Sequence, residues 1–145
     1  MNSKVLVTIR GVQHEFEEIF DTGIQTIQQG TYRQVSGKHI ITYEEPAGEA
    51  SVSSQSTIKN MLKISSGSVS ITKHGETAID MLFKEGYYHS GMYETQFGTL
   101  QAGFITSKLN ITETADSIDI QIDYGLELNY SHVSDCTVFI NIHSL

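Results

Sequence analysis

GSVSITKHGETAIDMLFKEGYYHSGMYETQFGTLQAGFIT, residues Gly67–Thr106, decides the fold class. Its glycines at 67, 75, 86 and 98 punctuate short runs rich in β-branched and aromatic residues. Glycine reaches the positive φ of a tight turn without steric penalty, so this spacing predicts a meander of antiparallel strands. Alternate residues then share a face: Val69, Ile71 and Lys73, then Ile79, Met81 and Phe83, then Tyr87, His89, Gly91 and Tyr93, then Leu100, Ala102, Phe104 and Thr106. Successive side chains of a strand point to opposite faces, so each set marks one wall of a core.

Downstream, Leu109–Thr112 reads as a short strand and Glu113–Asp116 as a polar loop. Ser117–Tyr130 alternates Ile118, Ile120, Ile122, Tyr124, Leu126, Leu128 and Tyr130 against Asp119, Gln121, Asp123, Glu127 and Asn129. Gly125 in the middle of so long a strand predicts a bend. Cys136, Val138, Ile140 and Ile142 repeat the alternation.

Upstream, Val5, Val7 and Ile9 alternate within Lys4–Arg10, and Thr57–Ser65 sets Ile58, Leu62 and Ile64 against Lys59, Met61 and Lys63. Gln25–Val35 and Lys38–Glu45 read as a hairpin joined at Ser36-Gly37, a good turn dipeptide. QHEFEEIFD, residues 13–21, fits a helical face and a strand, with strand preferred. Its carboxylates Glu15, Glu17, Glu18 and Asp21 form an acidic rim. The Gly-, Ser- and Ala-containing PAGEASVSSQ that follows Glu45 predicts a loop and a candidate mobile lid. A single all-β domain over residues 1–145 with about eight to ten strands must cover its faces and edges, which calls for a closed barrel or a sandwich.

Nine Lys and Arg against 17 Asp and Glu leave a net charge of −8. That balance disfavours nucleic acid and anionic membrane, whose phosphates need cationic partners. No apolar run has the length of a signal peptide or a membrane span, so the expected location is the cytoplasm. The single cysteine, Cys136, sits at an apolar alternating position, which suits a buried structural thiol rather than a nucleophile.

The six histidines, at 14, 39, 74, 89, 132 and 143, make no H-x-H or H-E-x-x-H, and the nearest approach to a metal motif is His14-Glu15 with Glu17 and Glu18. Phosphate-cradling glycine loops are also missing. Glu44, Glu45, Asp80 and Glu94 are the carboxylates that an enzymatic reading would need to converge. The expectation is therefore a non-enzyme with no cofactor, no metal and no catalytic residue. Polar and aromatic side chains on otherwise apolar strands leave a ligand-binding set: Tyr43, Lys59, Lys73, Met81, His89, Tyr93 and Thr95. They either fill a solid core with hydroxyls at its rim or point into an open lumen.

Read together, several segments resemble the DUF1934 family. They are Gln29-Gly30-Thr31-Tyr32, Tyr43-Glu44-Glu45, Thr57-Ile58-Lys59, Ser70-Ile71-Thr72-Lys73-His74-Gly75, Met81-x-Phe83-x-x-Gly86 and Tyr93-x-Thr95-x-x-Gly98. The likeness continues through Thr106 and Leu109 to the Ile118–Leu128 strand. It implies an antiparallel up-and-down barrel, lipocalin-like (calycin), of the bacterial cytoplasm, and it carries no assigned activity or site residue. Where the family usually has arginine two residues before the glycine this chain has Lys73, which keeps the charge but not the bidentate fork. Two functions follow as expectations. One is binding of a small hydrophobic or amphipathic ligand in the barrel. The other is a protein-interaction module or homodimer with a solid-packed barrel.

Overall fold

The computed structural model describes residues 1–15, 18–20, 25–46, 57–95 and 97–145. The proposed lid and the acidic rim between residues 15 and 21 fall largely outside them. The described residues form eleven strands and no helix: β1 (Lys4–Glu15), β2 (Glu18–Phe20), β3 (Gln25–Val35), β4 (Lys38–Pro46), β5 (Thr57–Ser65), β6 (Ser68–His74), β7 (Ile79–Phe83), β8 (Tyr88–Thr95), β9 (Gly98–Glu113), β10 (Ser117–Leu128) and β11 (Ser131–Ser144). None is a helix able to cross a membrane.

Ladders are antiparallel and mostly join sequence neighbours, β3 pairs with β1 past the short β2, and β11 pairs with β1 from Val5↔Ser144 to His14↔Asp135. The resulting order, β7-β6-β5-β4-β3-β1-β11-β10-β9-β8, is an up-and-down barrel of ten strands, with β2 attached to β1 outside the circuit. The barrel is nearly closed. Between β7 and β8 the ladder shrinks to one bridge, in which Ala78 and Glu94 exchange backbone hydrogen bonds of 2.9 and 2.8 Å.

The β3–β4 turn shows why local sequence dictates these elements. Ser36 and Gly37 both take positive φ, 52° and 78°. That is the two-residue hairpin whose twist matches the strands it joins. On β3, a Cβ at Gly30 would lie 2.8 Å from the Thr42 carbonyl oxygen, so only glycine lets β3 and β4 approach there.

The inward faces pack into one core that includes Val5, Val7, Ile41, Leu62, Ile64, Val69, Ile122, Ile140 and Ile142. Each such side chain, taken fully out of water, contributes about 1.5–3 kcal/mol before conformational entropy is charged against it. Phe83 is 1% exposed and reaches across the β7–β8 seam, meeting Phe104 of β9 edge-on at 5.6 Å and Tyr124 of β10 at 5.1 Å between ring centroids. This aromatic layer fills the middle of the barrel.

Three sequence expectations change. Leu109–Thr112 is not a separate strand but the end of the 16-residue β9. Around Gly125 the register shifts at Asp123/Tyr124 against β9 and at Leu126/Glu127 against β11, where Ser107 and Val133 are the extra residues, so the irregularity lies in the partner strands. Tyr130 does not continue β10: Asn129 and Tyr130 take φ of 49° and 68° and form the turn into β11.

A second tie crosses between walls that are not neighbours in the sheet. The His39 ring on β4 meets the Tyr32 hydroxyl at 2.7 Å through Nδ1 and the Glu113 carboxylate at 2.9 Å through Nε2. Glu113 ends β9, so this chain of contacts joins β3 and β4 to the opposite side of the barrel.

Candidate functional site

Inward positions of β4 to β10 leave a pocket of about 610 Å³ above the aromatic layer. Ile58, Ile79, Met81, Leu100, Leu126 and Leu128 supply an apolar wall, and Phe104 and Tyr124 lie at its base. Its polar groups are Glu45, Lys73, Thr77 and the phenol of Tyr93. Pockets of ligand size are commonly of this kind, apolar with a few placed polar groups. Two larger hollows, about 750 and 840 Å³, are lined chiefly by outward-facing side chains such as Gln121 and Phe139, or Thr42 and Met61. They are troughs on the outer wall, and we place the site inside the barrel.

The polar corner is built by strand parity. Tyr43 and Glu45 share the inward face of β4, Asn60 lies between Ile58 and Leu62 on that of β5, and Lys73 follows Ile71 on β6. The register sets Asn60 opposite both Tyr43 and Lys73. Lys73 Nζ donates to Glu45 Oε1 at 2.6 Å, and Asn60 Nδ2 donates to the same oxygen at 3.2 Å and to the Ile58 carbonyl at 3.2 Å. Both ends of the ion pair are largely covered, at 26% and 18% side-chain exposure. Asn60 is 3% exposed, and its Oδ1 finds no hydrogen-bond partner. Its orientation is fixed, because a flipped amide would set a carbonyl oxygen against the Glu45 carboxylate.

Tyr43 is buried beneath this corner, and burial, with the Glu45 charge added, raises its phenol above the usual range. Tyr124 is raised by burial first, then by the Cys136 thiol beside it through charge and a hydrogen bond. Both remain neutral phenols at ordinary pH.

Of the seven residues singled out from sequence, Lys73, Met81 and Tyr93 line this pocket. Tyr43 faces inward but is packed in the core. Lys59 points the other way, on the exposed face of β5 with Met61, because its parity is opposite to that of Leu62. His89 faces the seam, where Nε2 meets the Asp80 carbonyl oxygen at 3.1 Å. Thr95 serves the β8–β9 turn, donating to the Gly98 carbonyl at 2.8 Å and accepting from the Phe97 amide at 3.1 Å. Glu44, Asp80 and Glu94 are exposed on the outer face, so among the described residues no second carboxylate joins Glu45 in the pocket. Among the described residues no three His, Cys, Asp or Glu side chains gather as a metal site. Asn60 is the residue of this corner that motif and charge do not single out. Its place among Ile58, Leu62 and Ile64 was the available signal.

Comparison with known proteins supplies a family and a fold. A family model described as "Domain of unknown function (DUF1934)" matches residues 7–140. The crystal structure of the ywiB protein from Bacillus subtilis is similar, with a TM-score of 0.80 and 17% sequence identity over 99% of this chain and 92% of that one. At that identity the likeness speaks for the fold alone. No curated protein matches the chain.

Proposed function

The chain belongs to the DUF1934 family, and from its barrel we propose that it is a non-enzymatic binding protein that holds one small amphipathic molecule in the pocket above Phe104 and Tyr124. The observation that carries this reading is the pocket itself. It has an apolar wall, a volume of about 610 Å³, and a partly covered polar corner at one side. A barrel serving only as a rigid core gains nothing from the Lys73–Glu45 pair. Removing two charges from water costs more than a surface ion pair returns, and apolar residues of similar size would serve stability as well. A cytoplasmic location belongs to the same proposal, and the free, buried thiol of Cys136 is compatible with it.

Native mass spectrometry of protein purified gently from cells, before any lipid-stripping step, tests the reading. A stoichiometric added mass that disappears on denaturation is expected. A bare polypeptide mass, joined to failure of amphipathic probes to bind, would overturn it. A second reading, a homodimer or protein-interaction module, rests on exposed apolar side chains of β8, β9 and the turn between them. Met92, Phe97 and Ile105 are 58%, 84% and 42% exposed. A concentration-dependent mass shift in the same experiment, abolished by Met92→Glu, is the sign of it.

A further inference from the structure

The polar corner selects the head group of its ligand by charge. Glu45 Oε1 already receives Lys73 and Asn60, and Lys73 pairs with Glu45. An ammonium carries three N–H donors and a carboxylate two acceptor oxygens, so each partner keeps capacity for another bond. The corner therefore offers a donor and an acceptor side by side with no net charge. A ligand carboxylate placed there would share one ammonium with Glu45, and two carboxylates in one desolvated site do not both ionise without cost. A ligand ammonium meets the mirror-image objection from Lys73. The chain's net charge of −8 adds a further penalty for anions.

Resting on the binding reading above, we infer that the ligand is an amphiphile with an uncharged head bearing both a donor and an acceptor, an amide-type group, and not a fatty-acid-like anion. Its tail lies against Ile79, Met81, Leu100 and Leu126, and its head bridges Lys73 and Glu45.

Three probes of matched chain and different head charge decide this: decanamide, decanoate and decylamine, titrated into the protein at pH 7 and followed by native mass spectrometry. In the unmodified protein decanamide is expected to bind at least about tenfold tighter than either ion, as expected where a buried unpaired charge is avoided. Glu45→Gln frees Lys73 and moves the preference to decanoate, whereas Lys73→Met leaves Glu45 and moves it to decylamine. A merely structural role for the pair would lower all three affinities together. Binding of none of the probes to the unmodified protein overturns the binding reading itself. Tightest binding by decanoate, or an unchanged order in a folded Glu45→Gln protein, overturns the head-group inference alone. The order in the unmodified protein decides the question even if a variant does not fold.

Discussion

Replacing Phe83 by alanine tests whether the aromatic layer holds the barrel together. The side chain is 1% exposed, so its truncation loses nearly the whole transfer free energy of a phenyl ring and leaves a cavity between β7 and the β9–β10 side of the seam. Phe→Ala in such a place costs about 3–5 kcal/mol. The lost pairings with Phe104 and Tyr124 put Phe83 toward the upper half of that range, about 4 kcal/mol, because edge-on and tilted aromatic pairs add to simple burial. The loss is a large part of a total stability of about 5–15 kcal/mol. It is also local in effect. β7 pairs with β6 over five residues and meets β8 through one bridge at Ala78, so the Phe83 ring is a principal tie across that seam. Urea unfolding gives the magnitude, and amide exchange gives the place, with β7 expected to lose protection before β10 and β11. Phe97→Ala, at 84% exposure, is the control and is expected to change stability by less than about 0.5 kcal/mol. A loss at Phe83 below about 2 kcal/mol, or protection falling evenly through the sheet, would refute the reasoning.

Tyr43 and Tyr124 have folded-state pKa values above that of a free phenol, which is about 10, so the unfolded chain ionises first on alkalinisation. Their contribution to stability is complete below about pH 10 and is lost as pH rises beyond it toward their folded values. Tyr43→Phe and Tyr124→Phe should each flatten that alkaline loss in urea melts taken across the range, and an unchanged slope would count against it. Thr106 is 1% exposed with an unpartnered hydroxyl, so Thr106→Val should stabilise the protein by about 1 kcal/mol in thermal unfolding, and a loss would show that the hydroxyl is satisfied. Gly30→Ala forces a methyl group against the Thr42 carbonyl and should cost about 1–3 kcal/mol by the same measurement, with a neutral result showing that β3 shifts freely.

Most of the wall was legible because a strand buried on one face records that burial at period two. Ile118–Leu128 and Cys136–Ile142 are the clearest cases, and Lys73, Met81 and Tyr93 were placed by the same rule. Lys59 was misplaced against that rule, since its alternation with Leu62 already sent it outward. Position along the barrel is what alternation does not record. His89 has an inward parity yet sits at the seam, and Thr95 has one yet closes a turn. Contacts beyond one strand were equally hidden. Glu45 and Lys73, on either side of β5, lie 28 residues apart, and His39 and Glu113, on opposite walls, lie 74 apart, and no local pattern fixes which rungs meet.

The pairing of β1 with β11 sets the order in which such a chain can fold. Nine of its ten strand contacts join sequence neighbours or span one short strand, or are the loose seam, whereas Val5 must find Ser144. Until that long loop closes, β1 and β10 each present an unpaired edge with an apolar face behind it, which is the condition that invites another chain to add on. The hairpins on either side can form early, on their own, and wait. The last strand then works as a keystone, and crowding the nascent protein before β11 is available exposes it to self-association far more than crowding the finished barrel does.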